Sequence, residues 1–251
     1  DANVKINLRE TQEKKTTSKE MPLALFVYDN LCKSEIAFFG FYKKFAKEKI
    51  KFLKKHGAKV KSDKNFTFET RNGKTTLVLY EGDATEVTIP STVNGCPVTE
   101  IGEICFLDNE KIEKVTIPST VEKISEEAFG CCVSLKAVEF EPNSQLKTIG
   151  KWAFINCGKL SAITIPKSVE EIEFSAFSDC SQLRDIAFEK REKPIFIESN
   201  AFSSCSFSNI DFPHNVEFRE VKFMRLRDLK TLTFIGSGEI KKENILKFFP
   251  D

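Results

Sequence analysis

Along the chain, apolar residues return in one figure, apolar-x-x-apolar-x-apolar. Ile112, Val115 and Ile117 write it first, then Leu135, Val138 and Phe140, then Leu160, Ile163 and Ile165. It continues at Leu183, Ile186 and Phe188, and at Leu229, Leu232 and Phe234. The last two apolar positions flank a polar or small one, the period of a strand with one face buried. Proline follows several of these strands, as in Ile89-Pro90, Ile117-Pro118 and Ile165-Pro166. Proline has no N–H for the next rung, so it belongs at a strand end. Beyond it, Val121 and Ile124, and their counterparts Val169 and Ile172, return to the core along an opposite wall.

A second phrase lies between the strands. It reads Ala128-Phe129-Gly130-Cys131-Cys132, Ala153-Phe154-Ile155-Asn156-Cys157, Ala176-Phe177-Ser178-Asp179-Cys180 and Ala201-Phe202-Ser203-Ser204-Cys205. With Phe106 before them, its phenylalanines step by 23, 25, 23 and 25 residues. A fixed step of this size predicts a solenoid, because one coil is too thin to bury its own apolar face and its neighbours must complete the core. Glu126-Glu127-Ala128-Phe129 reads as a short helical turn that drops Phe129 inward. Phe106, Phe129, Phe154, Phe177 and Phe202 then form an aromatic spine. The predicted class is an α/β repeat solenoid, mostly β, with a parallel sheet on one face and flanking helical segments.

The solenoid is expected over residues 63–235. Phe66–Thr70 and Thr75–Tyr80 flank Asn72-Gly73, a strong hairpin signal, so a hairpin at 66–80 is the N-terminal cap. Toward the other end the repeat degenerates: the coil at 199–212 is one residue short, and the one at 218–234 keeps Phe223 but lacks Ala and Cys. Gly236-Ser237-Gly238 then breaks the pattern, and Ile240 to Phe249 predicts a cap helix within 236–251. Residues 1–20 are polar and aperiodic, a disordered or extended tail. Residues 21–62 are a Lys/Phe-rich amphipathic helical segment. Phe39, Tyr42, Ala46, Ile50 and Leu53 fall at helical spacing, and Lys43, Lys44, Lys47, Lys51, Lys54 and Lys55 lie toward the other side.

The formal net charge of +1 hides an asymmetry. Residues 41–61 hold nine lysines and one glutamate, residues 1–40 balance, and residues 62–251 therefore carry −7. An array of that sign does not favour nucleic acid. No apolar run approaches the ~18–20 residues that span a bilayer. The chain opens on Asp1 rather than Met and is read as a processed chain or a fragment. Of the eight cysteines, Cys132, Cys157, Cys180 and Cys205 share one repeat position. They are expected as buried, reduced thiols, since parallel neighbouring Cβ vectors suit a disulfide poorly. No Cys-x-x-Cys pair occurs, and His56 and His214 lie far from the ladder in sequence, so neither metal nor cofactor is expected. No serine or cysteine has a base that the sequence points to, so enzymatic activity is not expected either.

Strand residues that point outward align in columns. One column is Thr88, Thr116, Glu139, Thr164, Ala187, Asp211 and Thr233. Its neighbour is Glu86, Lys114, Ala137, Ala162, Asp185, Asn209 and Thr231. Solenoids commonly bind along such a face, which makes Thr88, Thr116, Glu139, Thr164, Asp211, Lys114 and Asp185 the candidate ligand-binding residues. An ordinary solvated sheet is the competing reading, because threonine suits exposed strand positions in any protein.

The motif Ser-Val-x-x-Ile-x-x-x-Ala-Phe-x-x-Cys-x-x-Leu-x-x-Ile-x-Ile-Pro resembles the BspA-like, treponemal-type leucine-rich repeat. Val169 to Phe188 matches it nearly throughout, except that Phe188 and Glu189 replace the terminal Ile-Pro. The stretches Tyr80 to Pro90 and Asn94 to Gly102 also look like the way this family opens its array. The resemblance covers about residues 66–235 and implies a right-handed leucine-rich-repeat coil. It further implies a surface or secreted interaction protein of adhesin type, binding a protein such as a host matrix or surface protein. The alternative is a scaffold that associates with a membrane surface through the basic N-terminal segment.

Overall fold

The computed structural model describes residues 4–5, 48, 50–51, 54–55, 59–63, 65–219 and 230–235. At the N-terminal side stand β1 (Val4–Lys5), β2 (Lys59–Asp63), β3 (Phe66–Arg71) and β4 (Lys74–Tyr80). β3 and β4 pair antiparallel around Asn72 and Gly73, whose φ values of 49° and 75° are those of a primed hairpin turn. The expected hairpin cap is therefore present. β2 adds a third, antiparallel strand to it.

The apolar-x-apolar figure forms a strand in each coil: β5 (Glu86–Thr88), β8 (Lys114–Ile117), β10 (Ala137–Phe140), β12 (Ala162–Ile165), β14 (Asp185–Phe188), β16 (Asn209–Pro213) and β18 (Thr231–Ile235). They make a first wall, parallel wherever they pair. Val115, Ile117 and Ile165 face inward and are buried. Lys5 and Val4 pair antiparallel with β18, the last strand among the described residues.

A parallel sheet was expected on one face, and the structure has parallel strands on two. The second wall runs through β7 (Cys96–Ile101), β9 (Lys123–Ile124), β11 (Thr148–Ile149), β13 (Glu171–Ile172), β15 (Ile195–Ile197) and β17 (Val216–Phe218). Beyond β7 it continues into β4, β3 and β2, so the hairpin caps this wall and not the first. β6 (Thr92–Val93) folds back on β7 around Asn94-Gly95. The middle strands of this wall are two residues long, too short for alternation to show in the sequence.

The expected helical turn at Glu126–Phe129 is not a helix. It is a run of β-turns: Ala128, Gly130 and Cys132 donate their N–H groups to the carbonyls three residues back, at 3.0–3.3 Å. The intervening N–H groups of Glu127, Phe129 and Cys131 point to the next coil, onto Lys151, Ala153 and Ile155 oxygens at 3.0, 2.7 and 2.8 Å. This requires a left-handed backbone at Glu127 and Cys131, repeated at Trp152 and Asn156, Ser175 and Asp179, and Asn200 and Ser204. A helix would spend those N–H groups within itself. Here they bind coil to coil, which offsets the conformational cost of the left-handed residues.

The spine forms as expected. Phe106, Phe129, Phe154, Phe177 and Phe202 are fully buried and stack nearly parallel, with ring centroids 4.7, 5.0, 5.1 and 5.5 Å apart. Beside it the four ladder cysteines are free thiols. Each donates to the carbonyl of a spine phenylalanine in the preceding coil: Cys132 to Phe106, Cys157 to Phe129, Cys180 to Phe154 and Cys205 to Phe177, at 3.1–3.2 Å. Of the helical segment expected at 21–62, residues 21–47 lie outside the described residues, as do the cap helix at 240–249 and Phe223. The end of that segment at 59–62 is not helix but part of β2, drawn into the sheet by antiparallel pairing with β3. Helical backbone is described at residues 48, 50, 51, 54 and 55.

The alternation of 23- and 25-residue steps has a structural counterpart. The corner after the first-wall strand is short at Ile117–Val121 and Ile165–Val169 and longer at Phe140–Leu146 and Phe188–Ile195. The first wall splits just there, into β5-β8-β10, β12-β14 and β16-β18. The second wall leads directly into the turns, where stacked rings and coil-to-coil hydrogen bonds fix the spacing, and it stays continuous. Within the second long corner, Arg191 is buried, and its guanidinium donates to the carbonyls of Val169, Lys193 and Pro194.

Candidate functional site

Within each ladder of the first wall, the strand registers place the outward residues as the columns read from the sequence have them. Glu86 lies opposite Lys114, and Lys114 opposite Ala137; Thr88, Thr116 and Glu139 align in the same way. Ala162 lies opposite Asp185, Thr164 opposite Ala187, and Asp211 opposite Thr233. Thr88, Glu139, Thr164, Asp185 and Asp211 are exposed, while Lys114 and Thr116 are half-buried. Lys114 Nζ lies 2.7 Å from Glu139 Oε1, and this pairing raises the lysine pKa. The seven candidates share one face, but the splits divide them: Thr88, Lys114, Thr116 and Glu139 lie on one ladder, Thr164 and Asp185 on the next, and Asp211 on the third.

The face is not uniform. Over β10, β12 and β14 it sinks into an open hollow of about 430 Å³. Ala137, Ala162 and Ala187 make its floor, with Thr164 among them, and Glu139, Asp185 and Glu189 supply its charge. The floor alanines and Glu189 were not among the candidates picked from the sequence. Their signal was available: small residues succeed one another in the outward columns, and the step lengthens between Phe129 and Phe154.

The second wall carries a different surface. Lys74 bonds Glu122 at 2.9 Å and Arg219 bonds Glu171 at 2.6 Å. The same Arg219 guanidinium lies 3.9 Å from the centre of the Phe196 ring. Glu100 accepts hydrogen bonds from Thr76 and Ser125. These groups satisfy one another across coils.

Two further sets of titratable groups are structural. Burial pushes the thiols of Cys132, Cys157 and Cys205 well above the ordinary range, so they are poor nucleophiles and poor metal ligands. Burial, with repulsion from Glu126, Glu103 and Asp108, raises the Glu127 carboxyl to about 7. Among the described residues no group of three or more His, Cys, Asp or Glu side chains is placed to hold a metal ion. No helix among them is long and apolar enough to cross a membrane.

The coil geometry agrees with comparison to known proteins. The BspA type leucine rich repeat region matches residues 99–242, in six copies. The chain belongs to that family. The chain is also similar to a leucine-rich repeat protein from Bacteroides capillosus, 34% identical over 52% of this chain and 99% of that one, with a TM-score of 0.48. A leucine rich cell surface protein from Faecalibacterium prausnitzii is 26% identical over 70% of this chain and 54% of that one, with a TM-score of 0.51. The pneumococcal vaccine antigen PcpA shares the fold at 24% identity and a TM-score of 0.56, over 70% of this chain and 48% of that one. This chain thus spans about half the length of the latter two proteins. Comparison with curated proteins gives no match.

Proposed function

We propose that this chain is a protein-binding repeat module, a surface or secreted protein of adhesin type, and that it engages its partner through the outward face of the first wall. The open hollow over β10, β12 and β14 carries the reading: it is the part of this face where small side chains leave the sheet accessible to another chain. Membership of a family of binding repeats supports it, as does the likeness to a protein described as a cell surface protein. The reading assigns the chain no reaction and no cofactor. The test is capture of purified extracellular-matrix and cell-surface proteins by the intact chain and by an Ala162→Arg/Ala187→Arg variant. At least one protein should bind the unaltered chain and be lost from the variant. Binding that the two arginines leave unchanged, or no binding at all, would overturn the proposal.

A further inference from the structure

We infer that the hollow receives an extended, cationic segment of the protein partner, with lysine or arginine side chains lying over the alanine floor. The inference rests on the reading of this face as a binding surface and specifies what it binds. The titratable groups lining the hollow are Glu139, Asp185 and Glu189, and no lysine, arginine or histidine lines it. The two outward columns together hold four carboxylates, Glu86, Glu139, Asp185 and Asp211, against one ammonium, Lys114. The nearby cations are placed elsewhere. Lys136 is held by Glu113 at 2.8 Å, and Lys159 and Arg184 do not line the hollow.

The chain itself shows how a cation seats on this face. Lys114 reaches across from the neighbouring strand and places its ammonium on Glu139. No hydrogen bond or ion pair engages the Asp185 carboxylate among the described residues, and one oxygen of Glu189 accepts the Lys167 N–H at 2.9 Å. Asp185 thus offers an incoming cation what Glu139 offers Lys114. The floor of alanines leaves room for the aliphatic stem of a lysine or arginine, which packs on apolar surface while its head stays in water. Asp185 and Glu189 lie four residues apart along the chain, roughly 13 Å in extended geometry. An extended partner segment sets residues i and i+4 on one face at the same spacing. The sign of the whole array agrees, since residues 62–251 carry −7.

The experiment uses the full chain and a fluorescein-labelled nine-residue peptide with lysine at positions 3 and 7 in an alanine–threonine background. A matched peptide carries glutamate at those positions. Fluorescence anisotropy at low salt should show the lysine peptide binding the unaltered chain, and binding about fivefold weaker to an Asp185→Lys/Glu189→Lys variant. The glutamate peptide should show the opposite preference. Circular dichroism melts establish that the variant is folded, and Asp185→Asn/Glu189→Gln serves in its place if it is not. Equal binding of the two peptides, or a lysine peptide indifferent to the charge reversal, would sink the inference. The matrix-protein capture separates the two proposals. Loss with Ala162→Arg/Ala187→Arg but not with the charge reversal leaves the face a binding surface and removes the cationic partner. Capture kept by both variants removes both proposals.

Discussion

From β5 to β17 each coil gives one strand to the first wall and one to the second, yet the two outer surfaces differ. On the second wall, charges pair across coils and Arg219 covers Phe196. On the first, the central coils present alanines, unbalanced carboxylates and a sheet that splits beside β10 and β14. The difference lies in where each wall is attached. The second wall runs straight into the turns, and there the phenylalanine stack and the left-handed residues fix the coil spacing. The first wall is joined on both sides by corners, two of them lengthened, and it absorbs the slack. A wall that is pinned can close its surface with pairwise contacts. A wall that is not pinned can open a hollow.

The strongest way to break this comparison is to remove the pin. Phe154→Ala deletes a fully buried ring stacked on both sides, at 5.0 and 5.1 Å. It should cost about 3–5 kcal/mol in chemical denaturation. Thr164→Ala, on the exposed first face, should change stability by less than about 0.5 kcal/mol. Comparable losses at the two positions would mean that the first wall carries as much of the fold as the spine does.

The second prediction concerns pH. The folded Glu127 carboxyl titrates at about 7, above its ordinary value of 4.5. A raised folded pKa means that the folded state binds the proton more tightly. Glu127 therefore favours the fold fully below about pH 4.5, and this contribution is lost as pH rises through 7. The change should be on the order of 2–3 kcal/mol across that window. Glu127→Gln should flatten this part of the stability profile and stabilise the protein at pH 8. An unchanged profile would place the Glu127 carboxyl in water rather than within the turn wall.

A smaller effect is expected at the thiol ladder. Cys157→Ala removes a buried donor to the Phe129 carbonyl and a sulfur's volume, at a cost of about 1–2 kcal/mol. Under native conditions a thiol reagent should leave Cys132, Cys157, Cys180 and Cys205 unlabelled, and after denaturation without reductant it should label all four. Labelling that appears only after reduction would show that they are bridged. The smallest effect belongs to the second wall's surface: Glu171→Gln should cost at most about 1 kcal/mol and less at high salt. A salt-insensitive loss would point to packing of Arg219 on Phe196 rather than to charge.

Much of this was legible in local sequence. The phenylalanine step gave the coil, Asn72-Gly73 gave the hairpin, and alternation in Val115-Thr116-Ile117 separated core from surface. Each of these is set by a few neighbouring residues acting through burial period or turn geometry. That is also why the outward columns came out in the right order. Asn156, Asp179 and Asn200 carried a faint mark of the turn wall, because Asn and Asp tolerate the left-handed region. Glu127, Cys131 and Trp152 in the same wall carried none.

The sequence by itself determined that the chain is a solenoid, where its coils lie, which residues form the spine and which face outward. Only the tertiary structure decided that there are two parallel walls, that the spine segments are β-turns with interspersed left-handed residues rather than helical turns, that Arg191 is buried, and that the first wall opens over Ala137, Ala162 and Ala187. The reason is the range of the interactions responsible. Period and turn signals act within a few residues and are written in the chain. The coil-to-coil hydrogen bonds that hold Trp152 left-handed, the carbonyls that satisfy Arg191 and the lost rungs beside β10 join residues a whole coil apart or test the spacing between coils. Their energies exist only once the coils have stacked.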